Sequence, residues 1–206
     1  MSAQVLVLKA TDAAIELTET LVEKAQAGDT EAFRQLYFQY RGMVARLAYN
    51  ITGRPQDLED IIQETFLQVH RSIGSFQGES KFSTWLYRLT INVSMQYVRQ
   101  SKKTAGVTYS IDDYRNLSDE AQSPEDHVLE VQKRKVLMDA LEKISPKKRT
   151  VFILHELQGV EAKEIARILR IPTLTVRTRL FYARKAMYRM LMKDPAFRDS
   201  LKGGSH

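Results

Sequence analysis

The chain has 206 residues, of which 43% are hydrophobic and 27% charged, and its formal net charge is +6. This length and composition suit a soluble globular protein with one large domain or two small ones. The absence of cysteine excludes disulfide bonds and thiolate metal sites. No apolar run is long enough for a membrane span or a signal-peptide core, so we expect a cytoplasmic protein without membrane insertion. The positive charge permits a polyanionic partner.

The first half of the chain predicts helices and no strands, because no two-residue period persists. Residues 1–18 show no clear period and are interpreted as an N-terminal extension. From about residue 20 to residue 53, apolar side chains recur at helical spacing. Gly28 and Asp29 interrupt them and predict the end of one helix and the start of the next.

Residues 57–71 predict a third helix with two different faces. Its apolar side chains fall at spacings that bury them together: Leu58, Ile62, Phe66 and Val69. A second stripe carries three acids and an amide: Asp57, Asp60, Gln63 and Glu64. Acids in the first turn also favour the helix dipole, and most charged helix faces are simply solvated.

Residues 76–99 begin with turn-forming residues, including Gly78 and Ser80, and continue as a helix. The apolar stripe of this helix consists of Trp85, Leu86, Leu89 and Val93. Away from the stripe lie cations, amides and phenol rings: Tyr87, Arg88, Asn92, Gln96, Tyr97 and Arg99. Such side chains suit a nucleic-acid strand, because cations meet phosphates, rings stack on bases and amides contact base edges. On composition alone, a solvated surface is the commoner interpretation.

Residues 103–127 are poor in apolar side chains, and from residue 112 to residue 130 seven acids accompany one cation, Arg115. Such a segment cannot bury enough surface to order itself, so we interpret it as a flexible acidic linker. A second helical domain is predicted over residues 128–193, with a helix stop before Pro146 and another at Gly159.

The end of this second domain predicts a helix-turn-helix: a short helix over residues 161–169, a turn at 170–172 and a longer helix from Thr173. Residues 163–193 contain nine cations and one acid, Glu164, which indicates a face that binds a polyanion. The core-facing stripe of the last helix is Val176, Leu180, Ala183 and Met187. In a helix-turn-helix the second helix enters the major groove of DNA.

Three strings in this sequence resemble extracytoplasmic-function (ECF) sigma factors, the small sigma subunits of bacterial RNA polymerase. D-x-E-D-I-x-Q-E-x-F, from Asp57, resembles the segment that docks on a coiled coil of the polymerase's largest subunit. F-x-G-x-S-x-F-x-T-W-L-Y-R-L-x-x-N, from Phe76, resembles the promoter-melting segment. Residues 164–184 resemble the segment that recognises the −35 promoter element.

The resemblance implies an all-α protein with a sigma-2-like helical bundle (residues 19–102) and a sigma-4-like helix-turn-helix domain (128–193), followed by a tail (194–206). The implied docking residues are Asp57, Asp60, Gln63 and Glu64. The implied −10 contacts are Phe76, Gly78, Ser80, Phe82, Trp85, Arg88, Asn92 and Arg99. The implied −35 contacts are Thr173, Thr175, Arg177, Thr178, Phe181, Tyr182, Arg184 and Lys185.

The same resemblance implies the partners and the activity. They are core RNA polymerase, promoter DNA that is duplex at −35 and single-stranded at −10, and an anti-sigma factor that holds the free protein inactive. The acidic linker would lie in basic channels of the polymerase. The protein would direct the polymerase to promoters and help to melt them, without a cofactor or a metal.

This chain departs from the family pattern at four positions. Arg170 and Leu174 stand where the family usually has glycine, Glu161 where it has a capping serine, and Lys81 where a small residue is common. A good helix cap contributes about 1 kcal/mol, so the change at Glu161 affects the start of the helix-turn-helix.

Two other function classes fit parts of the sequence less well. A helix-turn-helix regulator that binds duplex DNA without polymerase explains the second domain equally well, but it leaves the strings from Asp57 and Phe76 unexplained. An enzyme is disfavoured, because His155-Glu156 lacks the second histidine of a zinc-protease motif, whose place Gly159 takes.

Overall fold

The computed structural model describes residues 16–103 and 135–193. Within these two ranges every regular element is a helix, which confirms the predicted all-α class. The predicted linker apart from residue 103, the tail, and the predicted extension up to residue 15 lie outside the described residues. By their contacts the described residues form two compact units: residues 16–49 with 57–103, and residues 135–193 with 50–56.

Residues 16–103 contain four helices and two short 3-10 turns. α1 is described over residues 16–26, α2 spans Thr30–Thr52, α3 Leu58–Ser72 and α4 Phe82–Lys103. The 3-10 turns are Pro55–Asp57 and Ile73–Ser75. α1 already includes residues 16–18, the last three of the predicted extension, and Thr18 is buried among them.

The predicted helix stop and restart between α1 and α2 is confirmed. Gly28 has a φ of +91°, a left-handed value that few other residues adopt. Asp29 then caps α2, because its Oδ1 accepts hydrogen bonds from the backbone N–H groups of Glu31 and Ala32 at 2.9 and 3.0 Å. The turn therefore satisfies helix ends on both sides with local bonds.

The core of the first unit lies between α1, α2, α3 and α4. The predicted stripes are buried there, except that Leu58 and Leu89 are half-buried. Further side chains of α3 and α4 are buried that the apolar spacing did not predict: Ile61, Thr65, Thr84, Thr90, Ile91 and Ser94. α4 is therefore covered on more than one side, which fixes its orientation and leaves a narrow solvent-facing strip.

The second unit contains α5 (135–142), α6 (Pro146–Phe152), α7 (Ala162–Leu169) and α8 (Thr173–Leu191). α6 begins with Pro146 at its first position and continues into a π-helical turn, Ile153–Leu157. Gly159, with φ +67°, follows that turn, as the sequence predicted. None of the helices described in either unit is long and apolar enough to cross a membrane.

An arginine that the sequence analysis did not single out joins α5 to α6. Nη2 of Arg149 donates hydrogen bonds to the carbonyl oxygens of Glu142 (2.7 Å) and Ile144 (3.2 Å). These carbonyls follow or end α5, where helical partners are missing. Burial lowers the pKa of Arg149, with Glu142 acting in the opposite direction.

Candidate protein and nucleic-acid interfaces

The acidic stripe of α3 faces away from the core of the first unit. Asp60 and Gln63 are exposed, and Asp57 and Glu64 are half-exposed. The buried side chains of α3 lie on the other side: Ile61, Ile62, Thr65, Phe66 and Val69. Side chains three, four and seven positions apart share a helix face, so these four polar residues form one continuous surface.

Tyr97 of α4 lies beside this surface. Its pKa is raised above the ordinary value by burial and by the negative charges of Asp60, Glu64 and Asp57. The ring packs with Leu58 against a small cluster of buried residues, Ala48, Ile61 and Val93. The charges of three of the four predicted docking residues therefore act on one phenol, whose ring is held by its packing on the buried cluster.

Leu67 extends the same surface and was not predicted. It lies seven residues after Asp60 and four after Gln63, and 48% of its surface is exposed. The sequence did carry a signal for Leu67, because it falls at helical spacing from the acidic residues and outside the apolar stripe. Glu59, in contrast, is turned toward α2, where its carboxylate lies 2.9 Å from Nη2 of Arg41.

The segment after α3 carries an aromatic cluster. The centroid of Phe76 lies 5.3 Å from Trp85 and 5.9 Å from Phe82, and Tyr40 packs at 5.2 Å on the other side of Phe82. Such edge-to-face and tilted arrangements are favourable for aromatic rings. Gly78, with φ +70°, then turns the chain toward α4.

Burial divides the residues predicted to contact the −10 element. Phe82 and Trp85 are only 5% and 9% exposed, so they form the floor under the loop and present little surface to a ligand. Phe76 and Ser80 are half-buried, and Gly78 is exposed. Contact of Phe82 and Trp85 with DNA stays a prediction, and their observed surroundings favour an indirect role.

The remaining −10 residues lie along one face of α4. Arg88 is half-exposed, and Asn92 and Arg99 are exposed. Spacings of four and seven residues place them on one strip that is about 16 Å long. The structure therefore brings two guanidinium groups and an amide into a row that leads away from the loop.

α7 and α8 form the helix-turn-helix that the sequence predicted. The core-facing stripe of α8 is buried throughout, as predicted: Val176, Leu180, Ala183 and Met187. Of the predicted −35 contacts, Thr173 and Thr175 are half-buried, and the other six are exposed. The outward face also presents four large side chains, of which Phe181 and Tyr182 were predicted: Leu174 (74% exposed), Phe181 (62%), Tyr182 (51%) and Tyr188 (64%).

Two of the predicted −35 residues contact charged side chains outside α8. Arg184 forms an ion pair with Glu156 at 2.6 Å, and Nδ1 of His155 lies 3.1 Å from the same carboxylate. Nζ of Lys148 lies 5.3 Å from the centroid of Tyr182. A phosphate that binds Arg184 must compete with Glu156 for it. Arg184 therefore has a structural contact, and its role in binding DNA stays a prediction.

Cations also surround the turn between α7 and α8. Lys163, Arg167 and Arg170 line an open depression beside Pro172 and Thr173. None of these three cations was among the predicted contacts, although all were counted in the basic face. Their positions add positive charge at the end of α8 that a helix-turn-helix directs toward DNA.

Arg170 is in a strained backbone conformation. It ends α7 with φ +52° and ψ +50°, and among the described residues other than glycine it alone has a positive φ. This is the position where the family usually has glycine. A residue with a Cβ atom pays about 1–2 kcal/mol in this region, whereas glycine does not.

We therefore expect Arg170→Gly to raise the free energy of unfolding by about 1 kcal/mol, after allowance for the greater freedom of glycine in the unfolded chain. Chemical denaturation measures the change. Arg170→Ala is the matched control, since it removes the same charge but keeps the Cβ atom. If the glycine variant is no more stable than the alanine variant, the strain is not relieved at this position.

Comparison with known proteins identifies the family. Residues 36–104 match the family Sigma-70 region 2, and residues 134–187 match Sigma-70, region 4. The chain is 34% identical over 173 residues to the ECF RNA polymerase sigma-E factor of Haemophilus influenzae. The aligned region covers 81% of this chain and 91% of that protein. The sigma-E factor of Escherichia coli (strain K12) is also 34% identical, over 82% of this chain and 91% of its own length. The chain belongs to the ECF sigma factors.

Solved structures share the fold of this sigma factor. A chain from the structure of CnrH in complex with the cytosolic domain of CnrY has a TM-score of 0.66 at 22% identity, over 86% of this chain and 99% of that chain. A chain from the complex of the sigma factor RpoE with the anti-sigma factor NepR, from Bartonella quintana, has a TM-score of 0.62 at 18% identity, over 80% of this chain and 99% of that chain.

The family membership decides between the two DNA-binding alternatives. This protein is an RNA polymerase sigma factor that acts in transcription initiation. A helix-turn-helix regulator would account for the match to region 4, but it would leave the match of residues 36–104 to region 2 without a reason. That alternative is therefore set aside.

Proposed function

We propose that this sigma factor uses three separate surfaces to initiate transcription. The acidic stripe of α3 binds core polymerase, the loop after Phe76 with the polar strip of α4 binds the −10 element, and the outer face of α8 binds the −35 element. The observation that carries the proposal is that each of these helices has one buried and one solvent-facing side. The predicted apolar stripes are largely buried, and most of the predicted polar contacts lie on the solvent-facing side.

The docking role rests on charge and exposure. Asp57, Asp60, Gln63 and Glu64 would meet basic and amide groups on the coiled coil of the polymerase's largest subunit. Carboxylates that keep part of their surface in water attract a basic partner at long range and bind it at contact distance. Leu67 would add an apolar contact at the end of the same stripe.

The −10 role rests on the loop and its floor. A base flipped from the non-template strand would enter a pocket beside Phe76, Gly78 and Ser80, with the buried rings of Phe82 and Trp85 behind it. Flipping costs a few kcal/mol, which stacking and contacts to the base edge offset. Asn92 is the candidate amide for that edge, while Arg88 and Arg99 neutralise phosphates along the strand.

The −35 role rests on the exposed half of α8. Thr173, Thr175, Arg177, Thr178, Phe181, Tyr182, Arg184 and Lys185 are the proposed contacts. The first turns of a recognition helix meet base edges, and the later cations meet the backbone. Arg177 is our candidate for base contact, because it is exposed and unlike Arg184 is not held in an ion pair with Glu156.

The remaining expectations form part of the same proposal. Residues 19–102 act as the sigma-2-like domain and residues 128–193 as the sigma-4-like domain, in a cytoplasmic protein that is not itself an enzyme. An anti-sigma factor holds the free protein inactive. One structural relative is described as a complex of that kind, RpoE with NepR.

Run-off transcription with purified core polymerase tests the proposal. On a library of promoter fragments, addition of this protein is expected to produce discrete transcripts that core polymerase alone does not make. The same fragments should bind the protein weakly in the absence of polymerase. Tight binding to duplex DNA without polymerase, together with no new transcript from any fragment, would contradict the proposal.

A further inference from the structure

The last residue of α1 holds the entrance of the −10 loop. Nε2 of Gln26 donates hydrogen bonds to the carbonyl oxygens of Ile73 at 2.9 Å and Phe76 at 2.7 Å. These partners lie 47 and 50 residues later in the chain. A side-chain amide has two N–H donors, and here each of them is used by one carbonyl of the segment between α3 and the loop.

This contact fixes a segment whose backbone and side chain are also restrained by other interactions. The backbone N–H of Phe76 donates to Ile73 O at 3.0 Å, so the carbonyl of Ile73 accepts two hydrogen bonds. On the inner side, the ring of Phe76 packs against Trp85 and Phe82. Phe76 is thus held through its ring from within and through its carbonyl from outside, immediately before the exposed residues Gln77, Gly78 and Glu79.

We propose that Gln26 is a positioning residue for base capture at the −10 element. It touches neither DNA nor polymerase; it fixes the point from which the loop leaves the domain. A capture site must be held in its productive geometry by neighbouring groups before the ligand arrives. Without the two hydrogen bonds the loop samples other positions, and each flipping event must first order it. The inference rests on the proposed role of this loop.

Gln26→Leu tests the proposal, because leucine has a similar size and no donor. We expect promoter opening, measured by the fluorescence of 2-aminopurine at the −10 element with holoenzyme, to fall about fivefold or more, since the loss of one net hydrogen bond alone produces about that factor and this variant loses two. Binding to core polymerase should be unchanged. Gln26→Glu, which keeps the shape but has no N–H donor, should reproduce the loss.

Gln39→Leu is the matched control. Gln39 is on α2, and its Nε2 donates to Oγ1 of Thr18 on α1 at 3.0 Å, so it joins the same helix without touching the loop. We expect its promoter opening to equal that of the wild type. Equal losses in Gln26→Leu and Gln39→Leu would overturn the proposal in favour of a general weakening of α1.

A second readout needs neither DNA nor polymerase. Trp85 is the single tryptophan of the chain and lies 5.3 Å from the ring of Phe76, so its emission reports the position of that ring. The emission should change in Gln26→Leu and not in Gln39→Leu. An unchanged spectrum in both Gln26 variants would overturn the claim that Gln26 fixes Phe76. If the wild type opened no promoter while the spectrum changed, the positioning of Phe76 by Gln26 would stand and the proposed function would fail.

Discussion

Replacing Asp60 with arginine is expected to lower the affinity for core polymerase about 100-fold or more, the largest effect that we predict. Asp60 is exposed in the first turn of α3, at the centre of the stripe that also contains Asp57 and Glu64. On the proposed docking surface the substitution would place a cation opposite basic groups, and such like-charge contacts cost several kcal/mol. Pull-down or fluorescence anisotropy with core polymerase measures the loss.

The fold should survive this change, because the side chain of Asp60 is exposed. Glu23→Arg provides the control, since Glu23 is exposed on α1 and the change in net charge is identical. Circular dichroism should show the same helix content for both variants. If Asp60→Arg bound polymerase as tightly as Glu23→Arg, the docking surface would have to lie elsewhere.

A titration of Tyr97 checks that residue 60 is placed as described. The negative charge of Asp60 is one cause of the raised pKa of that phenol, after burial. In Asp60→Arg a repulsion becomes an attraction for the phenolate, so the pKa of Tyr97 should fall relative to the wild type. The ring resonances of Tyr97, followed by NMR against pH, report this shift independently of polymerase.

Arg177→Ala is expected to remove about 1–3 kcal/mol of discrimination between the cognate −35 element and a base-substituted one. The guanidinium is exposed on the fifth residue of α8, within the part of a recognition helix that reaches base edges. A base contact contributes only on the matching sequence, so its loss weakens the cognate complex more than the others. Binding of holoenzyme to both promoters, measured at one salt concentration, gives the difference.

Arg189→Ala is the control for this prediction. Arg189 is exposed on the same helix, 12 residues and about 18 Å further along. Its removal deletes the same charge, so it should weaken binding equally on both promoters and flatten the salt dependence. If Arg177→Ala behaved in the same way, Arg177 would contact phosphate, and base recognition would be left to its neighbours.

Several features of the fold followed directly from local physics. The stripe of α8 was predicted side chain by side chain, and three of the four predicted side chains of α3 are buried, because a 3.6-residue period specifies one face of a helix. The turn at Gly28 and Asp29 was predicted because a left-handed residue and a capping carboxylate act within a few positions. At Arg170 the sequence shows only that the usual glycine is replaced. The left-handed backbone, and therefore the strain, is seen only in the fold.

The sequence by itself determined the helical class, the buried stripes and the chemistry of the three polar surfaces, since each depends on spacing along one helix. Only the tertiary structure decided which of those residues are accessible. It buried Phe82, which lies outside the predicted stripes, paired Arg184 with Glu156, and joined Gln26 to carbonyls 47 and 50 residues away. The reason is physical: a period specifies a face of a helix, whereas burial and hydrogen bonds between distant segments depend on what the fold packs against it.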